Sequence, residues 1–163
     1  MKNKQNSLKW CVKLKDGLKI TEPDGSLAKS YLNEAKLSLR RAEKDFNDKD
    51  LLWATVITYY AEYYALYSFL QKIGIKCENH FCSILIIEKL LGKERVKTIN
   101  NHKEKRIDAQ YYMRIGKENE VKIMLQESKI FVTEFDNFIS NLINEEVEDY
   151  RKKFKSLIEE QKL

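Results

Sequence analysis

A single stretch, from Asp50 to Gly74, constrains the fold of this chain more than any other. Drawn as a helix, it carries apolar or aromatic side chains on nearly every side, and neither Gly nor Pro interrupts it before Gly74. A helix that is apolar on most sides is buried by several neighbours, and about 20 uninterrupted residues are too long for a strand. The stretch therefore predicts a central helix.

Glu62 is the only charged residue between Asp50 and Lys72. Because burial of an unpaired charge is costly, we expect Glu62 to face solvent, a basic partner or a subunit boundary.

The composition favours an all-α domain. With 43% hydrophobic residues, 34% charged residues, five Gly and one Pro among 163 residues, the chain can bury one core and has little material for β-turns. A stripe of apolar residues predicts a helix from about Leu27 to Phe46, capped by Asp24 or Ser26. A third helix is predicted from about Asn79 to Leu91, where Gly92 stops it. The expected fold is an up-and-down bundle of four or five helices.

The N-terminal residues are predicted to form a small extension of this bundle. We divide a single domain, residues 1–163, into an extension over 1–26, a bundle over 27–143 and a helical tail over 144–163. Apolar and polar residues alternate from Trp10 to Ile20 around an Asp16-Gly17 turn, which predicts a β-hairpin. A short helix around Leu8 to Leu14 is the alternative.

The C-terminal third carries one apolar stripe from near Lys117 to Leu157, without Gly or Pro. A single helix of this kind would contain roughly 40 residues and span about 60 Å, more than a small bundle needs. The run from Ile84 to Ile87 in the third helix is also apolar beyond one stripe. Both features indicate a partner, and we expect a homodimer.

A set of motifs centred on the predicted central helix carries a family resemblance. Ala54 precedes Tyr59-Tyr60-Ala61 in the pattern Ala-x-x-x-x-Tyr-Tyr-Ala, Gly74 ends the helix, and Asn79-His80 opens the next one. These motifs resemble the HEPN superfamily of helical-bundle proteins, in the branch encoded beside minimal nucleotidyltransferases. The resemblance extends from about Trp10 to about Tyr112, and Leu27-Ala28 and Tyr31-Leu32-x-x-Ala35 fit the first helix of that family.

This resemblance implies a binding or toxin-type module, as in toxin–antitoxin pairs. Its expected partner is a separate nucleotidyltransferase-like protein, and its expected ligand is RNA or a nucleotide. Ribonuclease members of the superfamily carry an Arg followed after four to six residues by a His. The pair can cleave RNA without a metal, because it supplies a permanent cation and a group with a pKa near neutrality.

The chain offers three candidate catalytic placements. Arg95 and His102 have the family spacing, with six residues between them, but lie in a hydrophilic stretch after the third helix. The stretch from Lys105 to Tyr112 resembles the Arg-x-x-Ala-Asp-Tyr segment of the nucleotidyltransferase-linked branch, but no His follows Arg106. His80 is the remaining candidate. The structural alternatives are an ion pair of Arg106 with Asp108 or with a subunit neighbour, and a capping or interface role for His80.

These placements leave three functions open. Because Arg106 lacks the following His, we expect a non-catalytic or degenerate binding module. The first alternative is a metal-independent endoribonuclease that uses Arg95 with His102, or Arg106 with His80. The second alternative is an oligomerisation scaffold that binds no nucleic acid.

The formal net charge of +5 is concentrated between Lys93 and Lys117. This segment holds eight basic and three acidic residues, and the rest of the chain is balanced. Such a patch attracts phosphate, and the candidate nucleic-acid contacts are Lys97, Lys103, Lys105, Arg106 and Arg114. A solvated, mobile connector is the alternative.

The three cysteines, Cys11, Cys77 and Cys82, show no C-x-x-C spacing and predict buried, reduced thiols. Cys77, His80 and Cys82 make a poor metal-ligand set because no second cluster accompanies them, so neither a metal nor another cofactor is expected. Met1 to Lys9 lacks an apolar signal region, and the Tyr-rich central helix suits a protein core better than lipid. A cytoplasmic protein without a membrane span is the expectation.

Overall fold

The computed structural model describes residues 7–162 and is an all-α helical bundle, which confirms the predicted fold class. Residues 1–6, the start of the predicted extension, and residue 163, the end of the predicted tail, lie outside the described residues. The described part contains seven α-helices, two short strands and a 3-10 helix over Lys93–Val96, with these bounds: α1 Leu8–Lys13, β1 Lys19–Ile20, α2 Gly25–Asn47, α3 Leu51–Ile73, β2 Ile75–Lys76, α4 His80–Leu91, α5 Lys97–Tyr112, α6 Glu118–Asn141 and α7 Asn144–Lys162.

Helix α3 is the central helix predicted between Asp50 and Gly74. Sixteen of its 23 residues are buried, as expected for a helix apolar on most sides. The Asp50 side chain accepts a hydrogen bond from the backbone N–H of Trp53 and so caps its first turn. Gly74 ends the helix in the left-handed region with a φ of 72°, where glycine avoids the penalty of a Cβ atom.

Three long helices surround α3 with alternating directions. Helix α2 runs antiparallel to α3, since the Ser68 hydroxyl near the end of α3 donates to the carbonyl of Ala28 near the start of α2. Helix α6 runs parallel to α3, with Ser128 bonded to Thr58 and Phe138 packed on Phe69. Helix α5 is antiparallel to α3. This order fits the predicted up-and-down arrangement.

The hairpin predicted between Trp10 and Ile20 is wrong, and the alternative short helix forms as α1. Ser7 caps α1 by accepting from the N–H of Trp10. The chain then turns, and β1 pairs antiparallel with β2, with Ile20 opposite Ile75. The end of the alternating pattern therefore does form a strand, β1. The strand that pairs with β1 lies after α3 and not in the preceding residues.

The expectation of three reduced thiols is also wrong. Cys11 of α1 and Cys82 of α4 form a disulfide, and Cys77 is buried and free. The bond joins residues that are 71 positions apart, and closing a loop of that size contributes about 4 kcal/mol in the chain-entropy model. The argument for a reducing compartment, which rested on reduced cysteines, is therefore lost.

The prediction of a single C-terminal helix of roughly 40 residues is wrong as well. The chain leaves the helical conformation at Leu142, which has ψ 122° and is buried, and α7 begins at Asn144. The carboxylate of Glu146 accepts from the N–H of Ile143 and closes the first turn of α7. Helix α7 then packs back onto the bundle, because its Arg151 binds carbonyls at the end of α3.

These contacts change the grounds for a dimer. Ile84, Ile86 and Ile87 of α4 are buried within the single chain, and no overlong helix projects from the described part of it. Neither feature requires a partner. Among the described helices, none is long and apolar enough to cross a membrane.

Candidate functional site

The basic segment is an ordered helix rather than the mobile connector considered above. Helix α5, Lys97–Tyr112, packs against α3 and buries Ile99, His102, Arg106 and Ala109 along one side. These positions follow the spacing of one helix face. The sequence did not predict this helix, because two of its four buried positions carry ionisable side chains and its apolar pattern is therefore weak.

Arg106 lies in an aromatic setting between α5 and α3. Its side chain is largely buried, and its guanidinium carbon lies 4.8 Å from the ring centre of Tyr59 and 5.9 Å from that of Tyr60. Its Nη1 atom donates to Gln110 at 3.3 Å, whereas its buried Nε has no hydrogen-bond partner within the described chain. A buried, unpaired donor is unfavourable, and the contact of the guanidinium with the Tyr59 ring offsets part of that cost.

His80, the first residue of α4, lies on the same aromatic group. Its Nδ1 shares a hydrogen bond of 3.0 Å with the Tyr59 hydroxyl, and its ring stacks on Tyr63 with 3.8 Å between ring centres. Burial, followed by the positive charges of Arg106 and Lys103, lowers the pKa of His80 to about 4. The imidazole is therefore neutral at pH 7. His80 does not cap α4, because the side chain of Asn79 does so.

Lys103 completes this group from one turn earlier in α5. Its ammonium lies 5.3 Å from the ring centre of Phe81, which follows His80. Burial lowers the pKa of Lys103, with a further contribution from the charge of Arg106 and against the influence of Glu104. We call Tyr59, Tyr60, His80, Lys103 and Arg106 the Arg106 site.

The charges of the Arg106 site have one sign. Both charges that act on His80, those of Arg106 and Lys103, are positive. A phosphate group carries the opposite charge and accepts hydrogen bonds from guanidinium groups.

The other predicted catalytic pair, Arg95 and His102, is not brought together as a site. His102 is fully buried, with Nδ1 2.5 Å from Glu62 and Nε2 2.8 Å from Glu127. Arg95 lies in the 3-10 helix, with its guanidinium 5.4 Å from the ring centre of Phe138. Because both ring nitrogens of His102 are occupied by carboxylates, this histidine serves the fold.

The remaining predicted nucleic-acid contacts are spread along α5 and beyond it. Lys97 is exposed at the start of α5. Lys105 and Arg114 line a small cavity of about 180 Å³ together with Asp108 and Glu120. The two carboxylates offset the positive charge of Lys105 and Arg114. Asp108 thus lies 4.0 Å from Arg114 rather than pairing with Arg106.

Sequence reasoning identified Lys103, Arg106 and His80 but assigned Tyr59 and Tyr60 to the core alone. The missing information was the antiparallel pairing of α3 with α5, which brings Arg106 onto the Tyr59 ring. Within α3, the motif that contains Tyr59-Tyr60 sets these tyrosines apart from the other aromatic residues, but it does not indicate their contact with Arg106.

The disulfide occupies the thiol of Cys82, one of the three residues judged a poor metal-ligand set from the sequence. Across residues 7–162, no group of three His, Cys, Asp or Glu side chains could hold a metal ion. Comparison with models of known protein families and with curated protein sequences gives no match to this chain.

Proposed function

We propose that this chain is a HEPN-like binding module whose Arg106 site holds a phosphate group of RNA or of a nucleotide without cleaving it. The observation that carries the proposal is the largely buried Arg106 guanidinium, whose side-chain hydrogen bond is to the neutral Gln110 and not to a carboxylate. Lys103 and the neutral His80 lie beside it and supply charge and a polar ring. Tyr111, which is exposed beside Arg106, offers an aromatic face of the kind on which nucleobases stack.

The pKa of His80 favours binding over catalysis. A general acid–base group works best with a pKa near the operating pH, and His80 has a pKa of about 4. At pH 7 it lacks the second ring proton that an imidazolium donates as a general acid. As a base it is weak, because its conjugate acid loses the proton too readily.

A metal-independent endoribonuclease is the second candidate because His80 and Arg106 both contact Tyr59. This is the pairing of an imidazole with a permanent cation that such chemistry requires. Bound RNA would have to raise the pKa of His80 for the reaction to be efficient. A nucleotidyltransferase-like partner rests on the sequence resemblance. The homodimer was expected from the isoleucines of α4 and from an overlong C-terminal helix, neither of which now supports it, and it stays a prediction.

Binding to a fluorescein-labelled dodecamer of adenylate RNA, followed by fluorescence anisotropy, tests the proposal. We expect the affinity to fall steeply as salt is added, because phosphate contacts release counterions. A Lys103→Glu/Arg106→Gln variant should lose about tenfold or more of the wild-type affinity at low salt, as expected when charged hydrogen bonds are removed.

The matched control is Lys29→Glu/Lys152→Gln, which makes the same change in total charge at two exposed positions. If the control weakens binding as much as the site variant, the effect is one of net charge and the Arg106 site is not the binding site. Circular dichroism establishes that both variants fold.

Incubation of the same RNA with protein in EDTA separates the two candidate functions. We expect intact RNA, because His80 is a poor acid and base at pH 7. EDTA-resistant cleavage that disappears in His80→Ala would establish the ribonuclease instead.

A further inference from the structure

Two neighbouring tyrosines at the C-terminal end of α5 have no place in the core. Tyr111 is 65% exposed and Tyr112 is 63% exposed. Large aromatic side chains that lie together on a surface mark interaction sites more often than isolated ones do. Each of the two rings has a guanidinium beside it, since Arg106 lies 5.9 Å from the centre of Tyr111 and Arg114 lies 5.4 Å from that of Tyr112.

The local backbone brings Arg114 to this position. Helix α5 ends at Tyr112, and the next residue, Met113, adopts a left-handed conformation with a φ of 53°, a region that few residues other than glycine occupy. The chain then turns back, and the N–H of Arg114 donates to the carbonyl of Asp108. The Asp108 carboxylate, 4.0 Å from the Arg114 guanidinium, helps to keep that group near Tyr112.

The tyrosine pair is continuous with the Arg106 site. Arg106 contacts Tyr59 and Tyr60 on the side of α3, and Tyr111 on the solvent side. A chain that places a phosphate at Arg106 therefore has the ring of Tyr111 next to it. Tyr112, the next residue of the helix, presents a second exposed ring beside Arg114. The segment from Lys93 to Lys117 carries the whole formal excess of positive charge, which suits a polyanion better than a second copy of this basic chain.

We propose that Tyr111 and Tyr112 form a stacking platform for successive bases of single-stranded RNA whose phosphate is held at the Arg106 site. The inference rests on the proposed function and narrows its ligand from RNA or a nucleotide to single-stranded RNA. Stacking on aromatic side chains accepts any base, because every base has a π face. Binding is therefore tolerant of sequence and depends on the presence of bases.

The test compares wild-type protein with Tyr112→Ala and Tyr112→Phe. Tyr112 is chosen because its ring contacts Arg114 and not Arg106. Removing the Tyr112 ring therefore leaves the phosphate site intact. The probes are the labelled adenylate dodecamer and a dodecamer with the same ribose-phosphate backbone but no bases in its central positions. Unfolding midpoints should be unchanged in both variants, because the ring is exposed.

The wild type should bind the adenylate dodecamer at least fivefold more tightly than the abasic probe. Tyr112→Ala should lose about fivefold or more of the adenylate affinity, since stacking of one base contributes roughly 1–3 kcal/mol. Its affinity for the abasic probe and the slope of its affinity against salt should not change. Tyr112→Phe should retain the wild-type affinity, because the aromatic face remains.

Three outcomes would overturn the inference. Equal binding of the two probes by the wild type, or unchanged adenylate affinity in Tyr112→Ala, would remove the stacking platform while leaving the Arg106 site in place. A loss of self-association in Tyr112→Ala without a change in RNA affinity would assign the surface to a second copy of the chain. If the wild type binds neither probe, the proposed function itself fails.

Discussion

At the scale of single residues, the most consequential group is the charge cluster of Glu62, His102 and Glu127. Glu62 comes from the central helix, His102 from α5 and Glu127 from α6, so three helices meet in one hydrogen-bonded chain. Burial lowers the pKa of His102, but the hydrogen bonds and charges of Glu62 and Glu127 outweigh it, and the net shift is upward. Burial raises the pKa of Glu62. The folded protein therefore holds protons more tightly here than the unfolded chain.

This cluster predicts that stability falls as the pH rises from 6 to 8. A histidine with a raised pKa contributes stability that is complete below its unfolded pKa, about 6.5, and is lost as the pH rises through its folded pKa. The shift of Glu62 has the same sign. We expect the free energy of unfolding, measured in urea, to be lower at pH 8 than at pH 6.

The double variant Glu62→Gln/His102→Gln provides the control, because it removes both titrating groups and leaves no unpaired buried charge. Its stability should vary less over this range than that of the wild type. The range excludes the fall in stability expected at higher pH from Cys77, whose pKa is raised by burial. His80 acts in the opposite direction, because its folded pKa of about 4 lies below the unfolded value of about 6.5, so that its contribution to stability rises with pH until the unfolded chain has lost that proton. This contribution is the same in both proteins and cancels when their pH dependences are compared. An equal pH dependence in both proteins would show that the cluster does not titrate in this range.

At the scale of elements, the end of α3 determines where α7 lies. The Nη1 atom of Arg151 donates to the carbonyls of Ile73 at 2.7 Å and Thr21 at 2.9 Å. The C-terminal carbonyls of a helix lack partners within it and favour a cation. Gly74 makes room for this contact, since a Cβ atom there would lie 2.1 Å from Arg151 Nη1. The N-terminal segment, the central helix and α7 therefore share one junction.

Removal of this junction should be costly. Arg151→Ala leaves buried carbonyls without their charged donor, and we expect a loss of about 2–4 kcal/mol in the free energy of unfolding. Arg41→Ala is the matched control, because Arg41 forms an exposed ion pair with Glu34 of a kind that contributes at most about 1 kcal/mol. Similar losses in the two variants would mean that Arg151 does not anchor α7.

At the scale of the whole molecule, self-association needs a different surface from the one the sequence suggested. The isoleucines of α4 are buried in one chain, whereas Ile123 and Ile130 of α6 are 51% and 62% exposed. They are seven residues apart and therefore lie on one face of the helix. An apolar pair on an outer helix face is a surface that a second copy would bury.

We retain the homodimer as a prediction and assign it to this face of α6. Light scattering at about 10 μM should report roughly twice the chain mass of 19.4 kDa. Ile123→Glu/Ile130→Glu should shift the mass to that of one chain, because burial of two charges in an apolar contact is unfavourable. A wild-type mass of one chain at this concentration would contradict the dimer.

Much of the helical framework follows from local signals in the sequence. Asp24, Asp50 and Asn79 cap the helices whose starts they predict, and Gly74 and Gly92 end helices where expected. Each of these signals acts within about one helical turn, so that neighbouring residues suffice to interpret it. For the same reason Lys103, Arg106 and His80 could be named as candidates, since their residue types carry the chemistry.

The arrangement of those candidates depends on contacts between distant parts of the chain. His102 and Glu62 are 40 residues apart, and the periodicity of α5 does not reveal that its buried face carries a histidine paired with two carboxylates. The break at Leu142 likewise has no local signal, because the apolar stripe continues through it. It arises because α7 folds back so that Arg151 reaches carbonyls that α3 leaves unpaired. Periodicity shows which side of a helix is apolar, whereas the pairing of buried charges and open helix ends decides which helices meet.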